Sequence, residues 1–253
     1  MSRTLKPNVL GIIPARMKSS RFPGKPLADL HGKPMVARVY EAARAAAALD
    51  DVVVATDSQE IMRVLQSLSI PGVMTSPEHR TGTDRLAEVA MTHPAEIFVN
   101  IQGDEPLIEP ETIDVAVRSL GEEKEYDVVN LCARVTLIQD VIDATVPKVL
   151  KTASGRAICL SRAPVPYPKN PAAAAYFRQV CVYAIRREAL LAFSKLEAGV
   201  LEAAEEIELL RFIEHGIPVK MVEVTTRSFG VDTPADLDRA RREFLAVHER
   251  ALP

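Results

Sequence analysis

Short apolar runs alternate with amphipathic stretches through the first 120 or so residues, and the alternation dictates the elements. "VLGIIP" (Val9–Pro14) is apolar throughout, the pattern of a strand covered on both faces. "PMVARVYEAARAAAAL" (Pro34–Leu49) opens on a proline and is rich in helix formers, which predicts a helix. "DVVVATD" (Asp51–Asp57) is a short β-branched run bounded by aspartates, hence a strand. "SQEIMRVLQSLSI" then has helical spacing behind a capping candidate, Ser58. "PGVMT" predicts a strand, "TDRLAEVAMTH" a helix, "EIFVNIQGDEP" a strand ending in acidic loop residues, and "PETIDVAVRSL" a helix. Strand and helix in alternation imply an α/β fold: a mainly parallel central sheet with flanking helices. In such sheets ligands collect at the carboxyl ends of the strands. The loop after the first strand, Asp57 and "QGDEP" all fall at such ends and are expected to share one crevice.

The pattern changes in the middle of the chain. "YDVVNLCARV", "VPKVLKT", "AICLSRAPVPY" and "RQVCVYAI" are short β-type runs, with "TASGRA" between two of them as a hairpin turn. Tyr126–Ile185 is therefore expected to be a smaller β-rich insert, carrying the loop "PYPKNPAAAAY", within a single domain spanning 1–253. Helices are expected again at Arg187–Lys195 and Leu201–His215, the second closed by Gly216. "IPVKMVEV" reads as a strand, and "FGVDTPADLDRARREFLAVHER" as a loop followed by a long helix.

Composition narrows the function. The 253 residues carry 31 Lys and Arg against 34 Asp and Glu, a formal charge of −3. That balance argues against bulk attraction to nucleic acid or a membrane surface, so any anion must be met by a local cluster. No apolar run reaches the roughly 20 residues of a membrane span, and the start of the chain lacks a signal-peptide pattern. The three cysteines, Cys132, Cys159 and Cys181, stand among apolar residues without metal-ligand spacing. They are expected to be small buried hydrophobes in a reducing, cytoplasmic setting.

One cluster stands out. Behind the first strand, "ARMKSSRFPGKPL" places Arg16, Ser19, Arg21 and Lys25 in a loop with Gly24. Small residues let backbone N–H groups approach an anion, and the cations neutralise it, so the loop suits a polyphosphate. Its alternative is a solvated surface loop. It is neither a Walker A motif nor a GxGxxG motif. Asp104, after Gly103 at a strand end, suits a Mg²⁺ ligand or a turn carboxylate. Asp232 suits the same metal or the start of a helix.

In this order the segments "IIPARMKSSRFPGKPL", "GKPM", "VVVATD", "HRTGTDRLAEV", "VNIQGDEP", "SRAPVPY", "VYAIRRE" and "FGVDTPADLDRAR" resemble the CMP-Kdo synthetases, the 3-deoxy-manno-octulosonate cytidylyltransferases. The similarity extends over nearly the whole chain. It implies a nucleotide-diphospho-sugar transferase-like fold and a homodimer, with the insert at the subunit contact and on the sugar side. It also implies transfer of CMP from CTP to the acidic sugar Kdo with Mg²⁺, releasing pyrophosphate, as a step toward lipopolysaccharide. Carried over residue by residue, the nucleotide would meet Ala15, Arg16, Ser19, Arg21, Lys25, Thr81, Gly82, Thr83, Arg85 and Gln102. Asp104 and Asp232 would hold the metal and, with Arg16 and Lys25, carry catalysis. The sugar would meet Gln102, Arg162, Gln179, Tyr183, Glu202, Glu208 and Leu209.

Two places depart from that family's pattern. A His-x-Gly is replaced by Gln179 and Cys181, and a Glu-Gln pair by Glu208 and Leu209. Both lie on the implied sugar side, so an altered acid is an alternative: an amino-Kdo, a sialate-like acid or a non-sugar acid. A further alternative is a nucleotide-binding domain without catalysis.

Overall fold

A computed structural model describes residues 8–18 and 21–249. Ser19, together with the first seven residues on which the signal-peptide reading partly rests, lies outside the described residues. The first portion forms β1 (Val9–Ala15), α1 (Met35–Ala45), β2 (Asp51–Thr56), α2 (Gln59–Ser67), β3 (Gly72–Met74), α3 (Gly82–Thr92), β4 (Ile97–Ile101) and α4 (Pro110–Glu122). These agree with the sequence pattern to within a few residues at each end, longest at the end of α1. Ser58 caps α2 by accepting from the Ile61 N–H at 3.3 Å. Thr81 and Asp84 cap α3 reciprocally.

The remainder forms β5 (Val128–Arg134), α5 (Ile138–Ile142), β6 (Lys148–Lys151), β7 (Ala157–Ser161), β8 (Phe177–Arg186), α6 (Arg187–Phe193), α7 (Val200–Glu205), α8 (Leu209–Glu214), β9 (Val219–Glu223) and α9 (Pro234–Glu249). The main sheet runs β3-β2-β1-β4-β8-β5-β9. Its neighbours are parallel except at β8, which is antiparallel to both β4 and β5. Ile12 and Ile13 show why β1 is apolar throughout: both are fully buried, and they face the two opposite layers of core. Each such burial contributes roughly 1.5–3 kcal/mol.

Two expectations are corrected. The segment 126–185 is not a lobe apart, because its β5 and β8 are central strands of the main sheet. Only the β6–β7 hairpin lies off that path, turned by Gly155 at φ +87°. Alternating short runs cannot reveal this, since a strand in an insert and a strand in the main sheet look alike locally. The helix expected at Leu201–His215 is two helices. Glu206 adopts a left-handed conformation (φ +51°), which ends α7 before Ile207 enters the core. Gly216 follows α8 at φ +75°, as its position suggested. Of the cysteines, Cys132 is core, whereas Cys159 and Cys181 are only half-buried.

Strand order positions the site. From β1 the chain moves outward to β2 and β3, then crosses back to β4 on the other side of β1. The loops leaving β1 and β4 therefore diverge, and a crevice opens between their carboxyl ends.

Candidate active site

A cavity of about 1960 Å³ occupies that crevice, and the loops after β1 and β4 both line it. Gly24 reverses the first loop: at φ +74° it donates its N–H to the Met17 carbonyl at 3.1 Å. That turn delivers Lys25 at the head of a single 3₁₀ turn, Lys25–Leu27. Gly103 serves the second loop. A Cβ there would stand 2.8 Å from the Pro14 carbonyl oxygen, so only glycine allows the end of β4 to lie against the end of β1.

The two loops meet through charge. The Lys25 ammonium donates to Asp104 Oδ2 at 2.6 Å and to Asp232 Oδ1 at 3.1 Å, and Arg21 pairs with Asp232 at 3.2 Å. Burial alone would lower the Lys25 pKa. Attraction and hydrogen bonding to Asp104, then to Asp232, outweigh it and hold the ammonium above its ordinary value. Asp232 is not the cap of α9. Thr233 is: its hydroxyl accepts from Asp236 N–H at 3.2 Å, and Asp236 accepts from Thr233 N–H at 2.8 Å. The Asp232 carboxylate is thereby left to face the cavity.

Asp104 and Asp232 converge on one ammonium, so they are near enough to share one cation. Among the described residues no cluster of three or more His, Cys, Asp or Glu forms a metal cage. Two carboxylates fit an ion such as Mg²⁺, which takes its other ligands from phosphates and water.

Ala15, Arg16, Arg21, Thr81, Gly82, Arg85 and Gln102 line this cavity with Lys25. Arg85 is buried and pairs with Asp57 at 3.4 Å while donating to Thr75, so Asp57 joins the crevice through Arg85. Thr83 is a correction. It is buried beneath the wall, and its N–H is engaged by Glu208 Oε2 at 3.0 Å.

The sugar-side residues divide. Gln179, Tyr183 and Glu208 line the cavity. Glu208 accepts from Thr83 N–H, from Asn100 Nδ2 at 3.2 Å and from Gln102 Nε2 at 3.3 Å. Burial pushes its carboxyl pKa up, and the Thr83 N–H offsets part of that. Leu209 is a correction: it is 1% exposed and packs in the core beneath α3 and α6 rather than on the cavity. Glu202 reaches the wall, but its carboxylate is gripped by both arms of Arg211, at 2.7 and 2.6 Å. Arg162 also reaches it, with Nε and Nη1 donating to the Glu205 and Ala144 carbonyls at 2.6 and 2.8 Å. Glu202 and Arg162 are thus chiefly braces of the wall.

Among the lining residues to which the sequence reading gave no role are Glu105 and Arg178. Glu105 is buried, accepts from Cys181 N–H at 3.2 Å and Ser228 Oγ at 2.7 Å, and its pKa is raised by burial. It ties the β4 loop to the segment that leads to Asp232, and Val231 N–H reinforces the tie by donating to the Asp104 carbonyl at 2.8 Å. Arg178 donates through Nη2 to the Ser228 carbonyl at 2.9 Å. Cys181, with a thiol pKa raised well up by burial, faces the cavity rather than the core. Glu105 stood beside Asp104 in "QGDEP", but nothing local distinguished its buried role.

Residues 10–222 match the protein family described as Cytidylyltransferase. A 3-deoxy-manno-octulosonate cytidylyltransferase of Solibacter usitatus (strain Ellin6076) is 43% identical over 239 residues, covering 94% of this chain and 95% of that one. A solved structure of CMP:2-keto-3-deoxy-manno-octonic acid synthetase complexed with CTP superposes with a TM-score of 0.89 at 38% identity, over 94% of this chain and 99% of the other. At 16% identity, a putative glucose-1-phosphate thymidylyltransferase from Bacillus anthracis shares the fold, with a TM-score of 0.65 over 92% of this chain and 94% of that one.

Proposed function

This chain belongs to the cytidylyltransferase family, and from that premise we propose that it couples CTP to 3-deoxy-manno-octulosonate (Kdo), giving CMP-Kdo and pyrophosphate. The observation that carries the reading is the meeting of Lys25, Asp104 and Asp232 in the crevice between β1 and β4. The anomeric hydroxyl of the acid attacks the α-phosphorus in line, and the pyrophosphate departs. No protein nucleophile is required, so catalysis is positioning and charge neutralisation. Arg16, Arg21 and Lys25 take up the charge of the leaving pyrophosphate. Asp104 and Asp232 would hold a Mg²⁺ ion, which when bound neutralises phosphate charge and acidifies the attacking hydroxyl. Glu208 orders Asn100, Gln102 and the start of α3 into one wall. CMP-Kdo made here would supply lipopolysaccharide synthesis in the cytoplasm.

The same reading has two copies of the chain associate. Exposed Leu137, Ile138 and Ile142 on and beside α5 offer an apolar contact within segment 126–185. Sedimentation of wild type against Ile138→Asp measures it, with a dimer expected only for wild type.

The test of activity is pyrophosphate release with Kdo and, in turn, CTP, UTP, ATP and GTP, with the product identified by mass. CTP with Kdo is expected to give CMP-Kdo. A preference for ATP or GTP overturns the assignment, and CTP binding without release from any acid makes the chain a non-catalytic nucleotide binder.

A further inference from the structure

The wall of the cavity has a polarity that the backbone imposes. Between Asn130 and Leu131 the register of β5 against β8 shifts by a bulge. There the buried Asn130 donates from Nδ2 to the carbonyls of Val180 and Val182, at 2.8 and 2.9 Å. Carbonyls only accept, so the Asn130 amide has a single orientation, and its Oδ1 must be the acceptor on the other side. That oxygen takes one proton of Gln179 Nε2 at 3.2 Å, and Nε2 donates its other proton to the Tyr183 hydroxyl oxygen, also at 3.2 Å. Both amide protons of Gln179 are thereby engaged inside the protein. Reversing the amide would set Oε1 against Asn130 Oδ1, oxygen to oxygen. Gln179 is 5% exposed and lines the cavity. Among the described residues none donates to its Oε1, and that oxygen is not sealed away: Asn100 Oδ1 is the enclosed side-chain polar atom without a partner.

We infer that Gln179 determines specificity for the acid: its Oε1, held outward by Asn130 and Tyr183, reads a hydrogen-bond donor of the substrate, a hydroxyl or an ammonium, and rejects a group that can only accept. The inference rests on the proposed reaction and names the chemistry of its second substrate. Glu105 and Glu208 line the same cavity, so it offers acidic groups in addition to that oxygen. An acceptor repels the acid's own carboxylate and takes an ammonium at least as well as a hydroxyl.

A series of Kdo analogues tests this, each with one hydroxyl replaced by hydrogen, by methoxy or by an amine. At one carbon, wild type is expected to lose about 10-fold or more in kcat/KM with the deoxy and methoxy compounds and none with the amine. In Gln179→Met that discrimination is expected to vanish, with the KM for the acid raised and the KM for CTP unchanged. Gln179→His, which offers one ring nitrogen to Asn130 and the other to the ligand, is expected to restore it in part. Equal discrimination by wild type and Gln179→Met overturns the inference. So does an amine compound as poor as the deoxy one, a result that wild type gives even if Gln179→Met fails to fold. Failure of the proposed reaction reads differently, as no pyrophosphate from CTP with Kdo or any analogue.

Discussion

Lys25 is the cation whose loss costs most. Lys25→Met removes the group that meets Asp104 and Asp232 and leaves two carboxylates facing each other. A fall of about 10²–10³ in kcat is expected from steady-state kinetics, the scale of losing one electrostatic donor. The capping of α9 by Thr233 separates two roles that the sequence left joined. Asp232→Asn is expected to lower turnover by about 10²-fold or more, with little change in Tm. Thr233→Ala is expected to cost about 1 kcal/mol of stability and to touch activity less. Full activity in Asp232→Asn would deny that residue its part in the site. The thiols offer a check on burial. The Cys132 pKa is pushed up to about 11 by burial, so at pH 8 about one thiol in a thousand is ionised. Iodoacetamide at that pH is expected to label Cys132 only after denaturation, as peptide mass mapping would show.

At the scale of elements, Glu208 stands in the break between α7 and α8 and reaches across to the start of α3 and the end of β4. Its carboxyl pKa is raised in the folded state, so the fold holds that proton at a pH where the unfolded chain, near 4.3, has lost it. The stability it contributes is then present below the unfolded value and declines as pH rises through the folded value. Relative to Glu208→Gln, which mimics the protonated acid, wild type is expected to lose stability as pH rises from 4 toward 7 in denaturant titrations. A wild type that gains on the variant as pH rises would mean the carboxylate is favoured by its three donors beyond the penalty of burial. The neighbouring Arg211 links Glu202 on α7 to Asp84 at the start of α3. Arg211→Met leaves two carboxylates beneath the wall without their partner, a loss of about 3–5 kcal/mol for a buried pair broken on one side.

For the whole molecule, α9 matters through where it begins. Leu237 and Ala240 pack with Leu30, Met35 and Val231 in a small core beside the main layers. That core seats the helix whose approach presents Asp232, and the backbone bond from Val231 to Asp104 joins it to β4. Leu237→Ala is expected to cost about 2–5 kcal/mol. If the seat governs the site, activity on heating will fall at a lower temperature than the ellipticity of the main sheet. Loss of both at one temperature would mean that the molecule unfolds as a unit.

What could be read from the sequence is what short-range physics controls. The apolar run of β1, the Ser58 cap, the turn at Gly155 and the glycine beside Lys25 each act on neighbours in the chain, and each leaves a local signature. Motif order carried the family as well. Tertiary structure alone decided the rest. Whether β5 and β8 join the main sheet depends on partners far along the chain. Leu209 turned inward because α8 packs on the core, although its neighbour Glu208 faces the cavity. Glu105 works through Ser228, 123 residues away. Gln179 owes its orientation to a bulge in another strand. A spacing along the chain records which residues share a face, but a buried amide or carboxylate takes its orientation from donors and acceptors that only folding brings near.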